Sequence, residues 1–586
     1  MRDKKFIVPL IAILIIAIAG FVAYVILKDQ GIIGNNGGEG NIQLITVDYE
    51  SGIYDTNNAT TIAEENGDIT ITGGGAEDNG RIIEITSGGT YILSGNIARQ
   101  ITINAAKKIV TLVLNNATIT NKAGTAIYAQ EVKRTLIASA DGTANKIIDG
   151  GSYSTNYGEE DVDAAIYSKD DLVFAGTGTI EISGNHNHGI HGKDFVQILS
   201  GTLSINSVND GIVAKDYFAM KDGTLNIESA SDGIKSTEDT DTTLGYIVFN
   251  GGIINITSTG DAINSIGRIS ISKGNFNLTA GGGAVNSSET YSEWGKWQDT
   301  KSKDTSGSAK GLKAEKYIII ADGTFNFDVS DDAIHSNTSI VINDGSYAIK
   351  TGDDAIHADT AITINNGTIY INQSHEGIES STITINNGTI SIVDDDDGLN
   401  ASGGNDQSSK NGRPGQNNFN SVNGTIYING GTLTINSRGD GIDSNGNIEM
   451  TGGYVTVDGP TDNGNGALDY NGTFKISGGT LIAAGSSGML QTPSGDSSQF
   501  TISIVFNSIQ TAGSTFTLKD SSNNTVAEFT PSKNYASIVI STPNIMLGSS
   551  YTASVDGSTI ATITTNGIVT SYGSGGMPGG GGRRGP

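Results

Sequence analysis

Carboxylates recur in register with a repeated aliphatic residue, and they are the side chains in this sequence best suited to chemistry. Each lies two positions before a large aliphatic such as Ile334 or Ile356, and these aliphatics are spaced by 22 residues in the regular part of the chain. A second column stands three positions before the aliphatic. The first column holds Asp210, Asp232, Asp261, Asp332, Asp354, Glu376, Asp397 and Asp440, and the second holds Asp331, Asp353 and Asp396.

Carboxylates stacked in this way repel one another. At a spacing of about 4.8 Å, two charges repel by about 1 kcal/mol in water and by about 3.5 kcal/mol at an effective dielectric constant of about 20. Such a column should bind protons or a cation, and hard oxygen ligands in a chain without cysteine favour Ca²⁺. The predicted calcium ligands are Asp331, Asp332, Asp353, Asp354, Glu376, Asp396, Asp397, Asp232, Asp210 and Asp239.

Two alternatives to calcium binding follow from the same residues. Asp-Gly pairs also form turns, so single carboxylates such as Asp440 can be solvated turn residues. All six histidines lie within four residues of a repeated aliphatic, and His335 stacked over His357 could form a zinc site. Because most neighbours of that stack are hard oxygen ligands, calcium is the favoured ion.

The 22-residue repeat predicts the elements that position these side chains. Stretches such as "TITINNGTISI" alternate aliphatic and polar residues, which is typical of strands with one buried face. In several repeats a glycine precedes the aliphatic by eleven residues, for example Gly323 and Gly345, and marks a corner. The pattern predicts an all-β, single-stranded parallel β-helix of about fifteen turns, in which Ile356 stacks on Ile334.

The N-terminal residues predict the cellular location of the rod. Arg2, Lys4 and Lys5 precede an apolar run from Phe6 to Leu27, long enough for one transmembrane helix. We expect residues 1–28 to anchor the chain in the cytoplasmic membrane with the rod outside at the cell surface, or to be cleaved so that the rod is secreted. The expected segments that follow are a flexible linker at 29–41, the β-helix at 42–497, a C-terminal β cap at 498–572 and a disordered glycine-rich tail at 573–586.

The composition and the two insertions indicate which class of partner the chain could bind. A net charge of −28 and a pI near 4.4 argue against a nucleic-acid partner. Insertions at residues 287–310 and 401–420 are polar and interrupt the repeat. Tyr291, Trp294 and Trp297 lie in the first insertion and could stack on sugar rings or pin the loop to the rod. The position after the repeated aliphatic, expected to face outward, holds His335, His357 and Lys313 beside a strip of glycine and alanine that could accept an extended polymer.

Several motifs together resemble a known family. The run "GGTYILSGN", followed by "DAAIYSKDDLVFAGTGTIEISGNHNHGIHGKD", "NDGIVAKD" and "SDGIKSTEDT", is similar to the bacterial carbohydrate-binding, calcium-binding parallel β-helix family over roughly residues 42 to 580. The resemblance implies a right-handed β-helix like that of pectate lyases. It also implies bound calcium and binding of cellulose or acidic pectic chains such as polygalacturonate, with little or no cleavage.

Three functions compete from the sequence, and hydrolysis by paired aspartates of adjacent turns is also open, although no pair can be singled out. The favoured one is non-catalytic polysaccharide binding by a membrane-tethered, calcium-loaded rod. A calcium-dependent pectate-type lyase is the main alternative, in which Lys235 is the best-placed base and Lys313 and Arg268 are the next candidates for that role. Against it, no cluster of basic residues surrounds the acidic column to hold a polyanion. A structural or adhesive surface protein without a glycan ligand is the third.

Overall fold

The computed structural model describes residues 42–155, 157–158, 161–287, 307–401 and 424–573. In the regular part of these residues each turn of the chain contributes three short strands, and most strands pair in parallel with the strand three elements later. Ile190 pairs with Ile212 and Ile212 with Ile234, for example. This pairing defines a single-stranded parallel β-helix with three sheets. The predicted all-β parallel β-helix is confirmed, whereas its right-handed winding stays a prediction.

The first sheet carries the repeated aliphatics. Its strands are Ile82–Ile85, Gln100–Asn104, Ile127–Glu131, Ala164–Ser168, His188–Gly192, Ile212–Ala214, Ile234–Ser236, Ile263–Ser265, Leu312–Ala314, Ile334–Ser336, the starts of Ile356–Ile364 and Ile378–Ile385, Leu399–Ala401, Ile442–Ser444 and Leu468–Tyr470.

The second sheet forms the next side of each turn. Its strands are Thr60–Glu65, Gly89–Ile97, Ile109–Thr120, Arg134–Ser139, Asp171–Gly176, Phe195–Ile198, Tyr217–Met220, Tyr246–Phe249, Arg268–Ile271, Tyr317–Ile320, Ser339–Ile342, the ends of Ile356–Ile364 and Ile378–Ile385, Thr425–Ile428, Asn447–Met450 and Phe474–Ile476.

The third sheet closes each turn. Its strands are Ala144–Ile148, Thr179–Gly184, Thr202–Ser207, Thr224–Ser229, Ile253–Ser258, Asn275–Ala280, Thr324–Val329, Ser346–Thr351, Thr368–Gln373, Thr389–Asp394, Thr432–Ser437, Tyr454–Asp458 and Thr480–Gly485, preceded by the ends of Gly89–Ile97 and Ile109–Thr120.

In the buried core of the rod, side chains at the same position of successive turns stack in columns. The column of the first sheet is at most 1% exposed along its whole length. Burial of each such side chain stabilises the fold by roughly 1.5–3 kcal/mol. The column consists of Ile83, Ile101, Ile127, Ile166, Ile190, Ile212, Ile234, Ile263, Leu312, Ile334, Ile356, Ile378, Leu399, Ile442 and Leu468.

The corner before each strand of the third sheet requires glycine. Gly223 has φ of 110°, a conformation that side chains rarely adopt, and an added Cβ would lie 2.6 Å from the carbonyl oxygen of Gly201. Gly323 and Gly345 also have positive φ, at 150° and 124°. The fixed glycine of the repeat therefore marks a corner, as the sequence predicts.

Residues 44–54 form an extended strap on the outer surface of the second sheet, and the first strand of the rod begins only at Thr60. The backbone N–H of Ile45 donates to Ser270 Oγ at 3.0 Å, and that of Glu50 donates to Gln197 Oε1 at 2.9 Å. Val47 packs on the second sheet in a small apolar cluster. The strap thus crosses several turns of the rod in the direction from the later turns to the earlier ones.

The two ends of the rod have different coverings. At the start, Asp68–Thr72 pairs antiparallel with Thr60–Glu65, and Ala76–Asp78 pairs antiparallel with Ile82–Ile85. At the end, Tyr535–Ser541 pairs antiparallel with Thr480–Gly485 and stops the parallel ladder. The remaining strands there are Thr501–Gln510, Val569–Tyr572 and a separate antiparallel sheet of Thr525–Phe529, Phe516–Asp520, Ser550–Val555 and Ser558–Thr564.

The strand pairing of the rod continues on both sides of the two internal gaps in the described ranges. A short 3-10 helix, Ala284–Asn286, precedes the first gap in the description, yet Ile263 still pairs with Leu312 across it. Ile383 likewise pairs with Ile426 across the second gap. Within the described ranges, no helix is long and apolar enough to cross a membrane. The predicted transmembrane segment, Phe6 to Leu27, lies outside those ranges.

Candidate functional site

The carboxylates two positions before the aliphatic column form a hydrogen-bonded ladder. In most turns one carboxylate oxygen, Oδ1, accepts the backbone N–H of the equivalent residue in the next turn. This contact ties neighbouring turns together. The pairs are Asp210 with Asp232 at 2.9 Å, Asp232 with Asp261 at 2.9 Å, Asp261 with Lys310 at 2.8 Å, Asp332 with Asp354 at 3.1 Å, Asp397 with Asp440 at 2.6 Å and Asp440 with Gly466 at 2.5 Å.

The side chain one position after the aliphatic turns back to this ladder, contrary to the expectation that it faces outward. Lys235 Nζ lies 3.0 Å from Asp232 Oδ2, and His335 Nδ1 lies 2.7 Å from Asp332 Oδ2. His335 is 8% exposed and His357 is fully buried. The reason is electrostatic, because a buried carboxylate attracts the nearest donor. Lys313 Nζ likewise lies 3.2 Å from Asp261 Oδ2. His335, His357 and Lys313 therefore contact carboxylates of the ladder.

Lys310 occupies one position of the acidic ladder, two before Leu312. Its Nζ lies 2.6 Å from Asp331 Oδ1 and 2.6 Å from Asp332 Oδ2, and the residue is 8% exposed. Burial disfavours the charged lysine, but the two carboxylates outweigh it and raise the pKa of Lys310, so it remains an ammonium ion. The structure brings Asp331, Asp332 and Asp353 together. Lys310 already supplies a positive charge there and competes with any metal ion.

His357 supplies a second internal positive charge. Its Nδ1 lies 3.0 Å from Asp354 Oδ2 and 2.9 Å from Glu379 Oε2. Burial opposes protonation, yet the hydrogen bonds to these carboxylates raise the pKa of His357 well above its usual value. The stacked rings of His335 and His357 have centroids 4.9 Å apart. Both ring nitrogens of His335 already have partners, Asp332 at Nδ1 and Asn337 Oδ1 at 3.0 Å from Nε2, so the stack does not present two free nitrogens to a zinc ion.

The ladder is least neutralised towards its end, because the residue after the aliphatic becomes acidic there. Asp397, Asp440 and Asp443 bring one oxygen each within 4.8 Å of one another. Burial, followed by the neighbouring charge of Asp469, raises the pKa of Asp440 to about 8 and that of Asp443 to about 7. The pKa values of Glu376 and Asp397 are also raised, by burial first and then by adjacent carboxylates. A divalent cation would relieve this repulsion.

The remaining predicted residues are dispersed or lie outside the described ranges. Asp396 is half-buried, with Oδ2 3.8 Å from His375 Nε2. Asp239 is exposed, and neighbouring Glu238 accepts bonds from Lys215 Nζ at 2.9 Å and from the backbone of Asp241 at 3.0 Å. Tyr291, Trp294 and Trp297 fall in residues 288–306, which the structure does not describe.

A groove that the sequence does not reveal lies at the corners between the second and third sheets. It has a volume of about 660 Å³ and crosses successive turns, so that equivalent corner positions follow one another along it. The strap contributes Tyr49, whose hydroxyl donates to the carbonyl of Met220 at 3.0 Å. Its other polar lining residues are Lys221, Asp222, Asn250, Lys273, Asn275, Asp322 and Thr324.

The groove combines the groups that bind hydroxyl-rich molecules. Lys221 Nζ lies 5.9 Å from the centre of the Tyr49 ring, so a cation and an aromatic face share one wall. Lys221 and Lys273 are exposed. The repeated corner residues are visible in the sequence, but Tyr49 is 171 residues from its partner Met220, and only the folded strap brings it there.

Two comparisons with known proteins give partial matches. A curated carbohydrate-binding domain-containing protein of Acetivibrio thermocellus is 30% identical over 130 residues, which cover 22% of this chain and 46% of that protein. The chain thus spans about half the length of that relative. A solved structure, the gadolinium derivative of the polysaccharide lyase-like protein from C. thermocellum, has 28% identity and a TM-score of 0.37, and covers 38% of this chain and 92% of that one.

The family comparison spans most of the chain. The family model described as carbohydrate-binding domain-containing protein matches residues 79–355 and 354–571, which include the acidic ladder and all of the groove except Tyr49. This chain therefore belongs to the family of carbohydrate-binding domain-containing proteins.

Proposed function

We propose that this chain is a non-catalytic polysaccharide-binding protein of the cell surface and that the corner groove holds the glycan. The observation that carries the proposal is the groove itself, because it runs along the rod and lines an extended path with amide, carboxylate and ammonium groups. Tyr49 adds an aromatic face for the apolar side of a sugar ring. Family membership supports carbohydrate as the ligand class.

The two lysines of the groove favour acidic glycans. A chain with a net charge of −28 repels a polyanion over most of its surface. Lys221 and Lys273 are local exceptions on one groove, which Asp222 and Asp322 also line. The two carboxylates accept the backbone N–H of Gly223 and Gly323, and each ammonium ion can bind a glycan carboxylate by a charge-assisted hydrogen bond. Polygalacturonate and cellulose are the two polymers to compare, and the lysines favour polygalacturonate.

Calcium has a structural part in this proposal. Asp397, Asp440 and Asp443, with Asp469 adjoining, supply hard oxygen ligands without a lysine or arginine among them. Bound Ca²⁺ would neutralise the carboxylates and link neighbouring turns of the rod. The doublet of Asp331 and Asp332 is a weaker calcium site than its sequence predicts, because Lys310 takes the position of the ion.

The proposed location depends on the N-terminal segment. The apolar run from Phe6 to Leu27, flanked by Arg2, Lys4 and Lys5, would anchor the chain in the cytoplasmic membrane with the rod outside. Cleavage of this segment would release the same rod as a secreted protein. The extracellular side supplies both glycan and calcium, which is consistent with the two ligands proposed.

The lyase alternative is disfavoured at Lys235. A general base must be neutral before it abstracts a proton. Burial alone would lower the pKa of Lys235, but the charge and hydrogen bond of Asp232 raise it, so the side chain stays protonated. The guanidinium of Arg268 donates to the carbonyl of Thr243 at 2.7 Å and lies over the rings of Tyr246 and Tyr317. The structure therefore favours binding over cleavage.

A pull-down of the purified full chain on cellulose and on polygalacturonate, with and without EDTA, tests the proposal. Retention on either glycan without ultraviolet absorbance from unsaturated product is the expected result, and loss of retention in EDTA would support the structural role of calcium. Release of unsaturated product would establish a lyase instead. Absence of retention on both polymers would contradict glycan binding and favour a structural or adhesive protein.

A further inference from the structure

A cluster of two histidines and one aspartate lies near the start of the regular repeat, apart from the groove and from the ladder's unneutralised end. His188 and His191 come from one turn, and Asp163 comes from the preceding one. Parallel pairing of Ala164 with His188 sets their register, and the backbone N–H of His188 donates to the carbonyl of Asp163 at 3.0 Å. One ligand atom from each of the three side chains lies within 4.8 Å of the other two.

The distances place the three side chains around a common centre. His191 Nδ1 lies 2.6 Å from Asp163 Oδ1, and His188 Nε2 lies 3.4 Å from Asp163 Oδ2. The two imidazole rings are nearly perpendicular, at 84°, with centroids 5.6 Å apart. Rings that meet edge to face can direct one nitrogen each at a shared ion, whereas the parallel rings of His335 and His357 cannot.

The surroundings of His188 also suit its role as a metal ligand. His188 and His191 are each 8% exposed, so both imidazoles are held in place by packing. Nδ1 of His188 is buried without a hydrogen-bond partner, and Asp210 Oδ2 lies 3.3 Å from it. A histidine bound to a metal through one ring nitrogen usually presents the other to a carboxylate, which orients the ring. Asp210 is in position to do this.

We propose that Asp163, His188 and His191 bind a divalent first-row transition metal ion, with zinc as the expected ion. Two imidazoles and one carboxylate are a donor set that suits zinc and leaves a fourth position for water or another ligand. The charge also balances, because Asp163 and Asp210 together offset the two positive charges of the ion when both imidazoles are neutral. Calcium prefers an all-oxygen set, so this site and the acidic ladder should select different ions.

The alternative is a metal-free network in which protonated histidines pair with Asp163 and Asp210. The two readings differ in one measurable property, since only the metal site changes the spectrum and stability of the protein when a transition metal is added. Co²⁺ is a suitable probe because its visible absorption reports imidazole ligation in a four-coordinate site. Saturating Ca²⁺ in the buffer keeps the acidic ladder from binding the probe.

The experiment is a titration of the purified full chain, carrying no histidine tag, with Co²⁺ and separately with Zn²⁺. The unsubstituted chain should gain visible absorption with Co²⁺ and a higher Tm with Zn²⁺. His188→Ala with His191→Ala should weaken Co²⁺ binding by about a hundredfold or more, and Asp210→Asn should weaken it by about 10–100-fold through loss of the orienting carboxylate. His335→Ala with His375→Ala removes the same number of imidazoles elsewhere and should leave both signals unchanged.

The possible results distinguish the metal site from the metal-free network. No absorption and no rise in Tm for the unsubstituted chain would overturn the proposal. Equal binding by the His188 and His191 variant would overturn it as well, whatever the stability of that variant. Asp210→Asn keeps both histidines and a similar shape, so it tests the site even if the double variant fails to fold. Glycan retention is measured separately and does not enter this comparison.

Discussion

In most aspartates of the ladder, the two carboxylate oxygens make different contacts. One accepts a backbone N–H from the next turn, as Asp332 does from Asp354, and the other faces a cation or another carboxylate. This division explains why the carboxylates are held so closely despite their repulsion. The turn-forming and metal-binding alternatives drawn from the sequence therefore combine, because the hydrogen bonds fix the very oxygens that an ion could use.

Lys310 should be a major contributor to stability in the absence of metal. Lys310→Met leaves Asp331 and Asp332 without their ammonium partner, and breaking a buried ion pair from one side costs about 3–5 kcal/mol. Urea unfolding in EDTA should show this loss. Added Ca²⁺ should restore part of it, since the ion can take the vacated position.

The control for this variant is Lys146→Met. Lys146 pairs with Glu181 at 2.6 Å, but its side chain is 52% exposed, so the loss should stay below about 1 kcal/mol. A similar loss for both variants would contradict the assigned role of Lys310.

The carboxylates at the end of the ladder should make stability depend on pH. The pKa values of Asp440 and Asp443, about 8 and about 7, lie above the ordinary value of about 4 for a free carboxyl. The folded chain therefore holds protons that the unfolded chain releases. Their stabilisation is complete below about pH 4 and is lost as the pH rises through about 7 to 8.

Thermal melts in EDTA should therefore show a Tm that falls from about pH 5 to about pH 9. Calcium should reduce this fall, because the ion replaces the protons. Asp440→Asn with Asp443→Asn should flatten the dependence in EDTA. A Tm that rises over the same range in EDTA would contradict the raised pKa values.

At the level of the strands, the column of aliphatics in the first sheet is one of the buried columns that hold neighbouring turns together. Ile356→Ala removes a fully buried side chain between Ile334 and Ile378 and should destabilise the rod by about 2–5 kcal/mol. Ile253→Ala is the matched change at a 43% exposed position and should cost about 0.5 kcal/mol or less. Chemical denaturation measures both, and equal effects would contradict the stacking.

The strap should loosen when its central anchor is removed. Gln197 accepts from the backbone N–H of Glu50 at 2.9 Å and donates to the carbonyl of Asp48 at 3.2 Å. Gln197→Ala should speed hydrogen exchange at residues 44–54 with little change elsewhere. Gln499→Ala, which removes a buried glutamine near the C-terminal end, should leave the strap unchanged. Unaltered exchange in the Gln197 variant would show that apolar packing alone holds the strap.

The strand pattern is predictable from the sequence because it depends on local period. Spacing alone gives the stack of Ile334 on Ile356 and the corner at Gly323, and both are present. The strap is not predictable, since it depends on contacts such as that of Ile45 with Ser270, 225 residues away. Lys310 was open to prediction, because it stands two residues before Leu312 in a column that is otherwise acidic.

The site is less predictable than the fold for an electrostatic reason. The sequence places His335 and His357 at outward positions by alternation, but the carboxylates draw both rings into the ladder. Register identifies which charges are neighbours, and only the folded side chains show which of them are already neutralised. The calcium prediction therefore shifts from Asp331 and Asp332 towards Asp440 and Asp443.

For the molecule as a whole, the charge distribution links the rod to its ligands. Most of the surface of this acidic chain repels polyanions, and the groove presents Lys221 and Lys273 beside Asp222 and Asp322. The ladder is the part of the chain that we propose to hold divalent cations. Calcium would lower the net negative charge as well as link turns. Glycan retention that depends on calcium is therefore expected to be stronger for polygalacturonate than for cellulose.

The most direct test of the central claim is glycan affinity after substitution of the groove. Lys221→Ala with Lys273→Ala should weaken binding of the retained glycan by about tenfold or more, since a charge-assisted hydrogen bond contributes roughly 1.5–3 kcal/mol. Lys146→Ala with Lys475→Ala makes the same change of charge at exposed, ion-paired lysines outside the groove and should leave affinity unchanged. Equal affinities for the groove variant and the unsubstituted chain, or equal losses in both variants, would contradict the assignment of the groove as the glycan site.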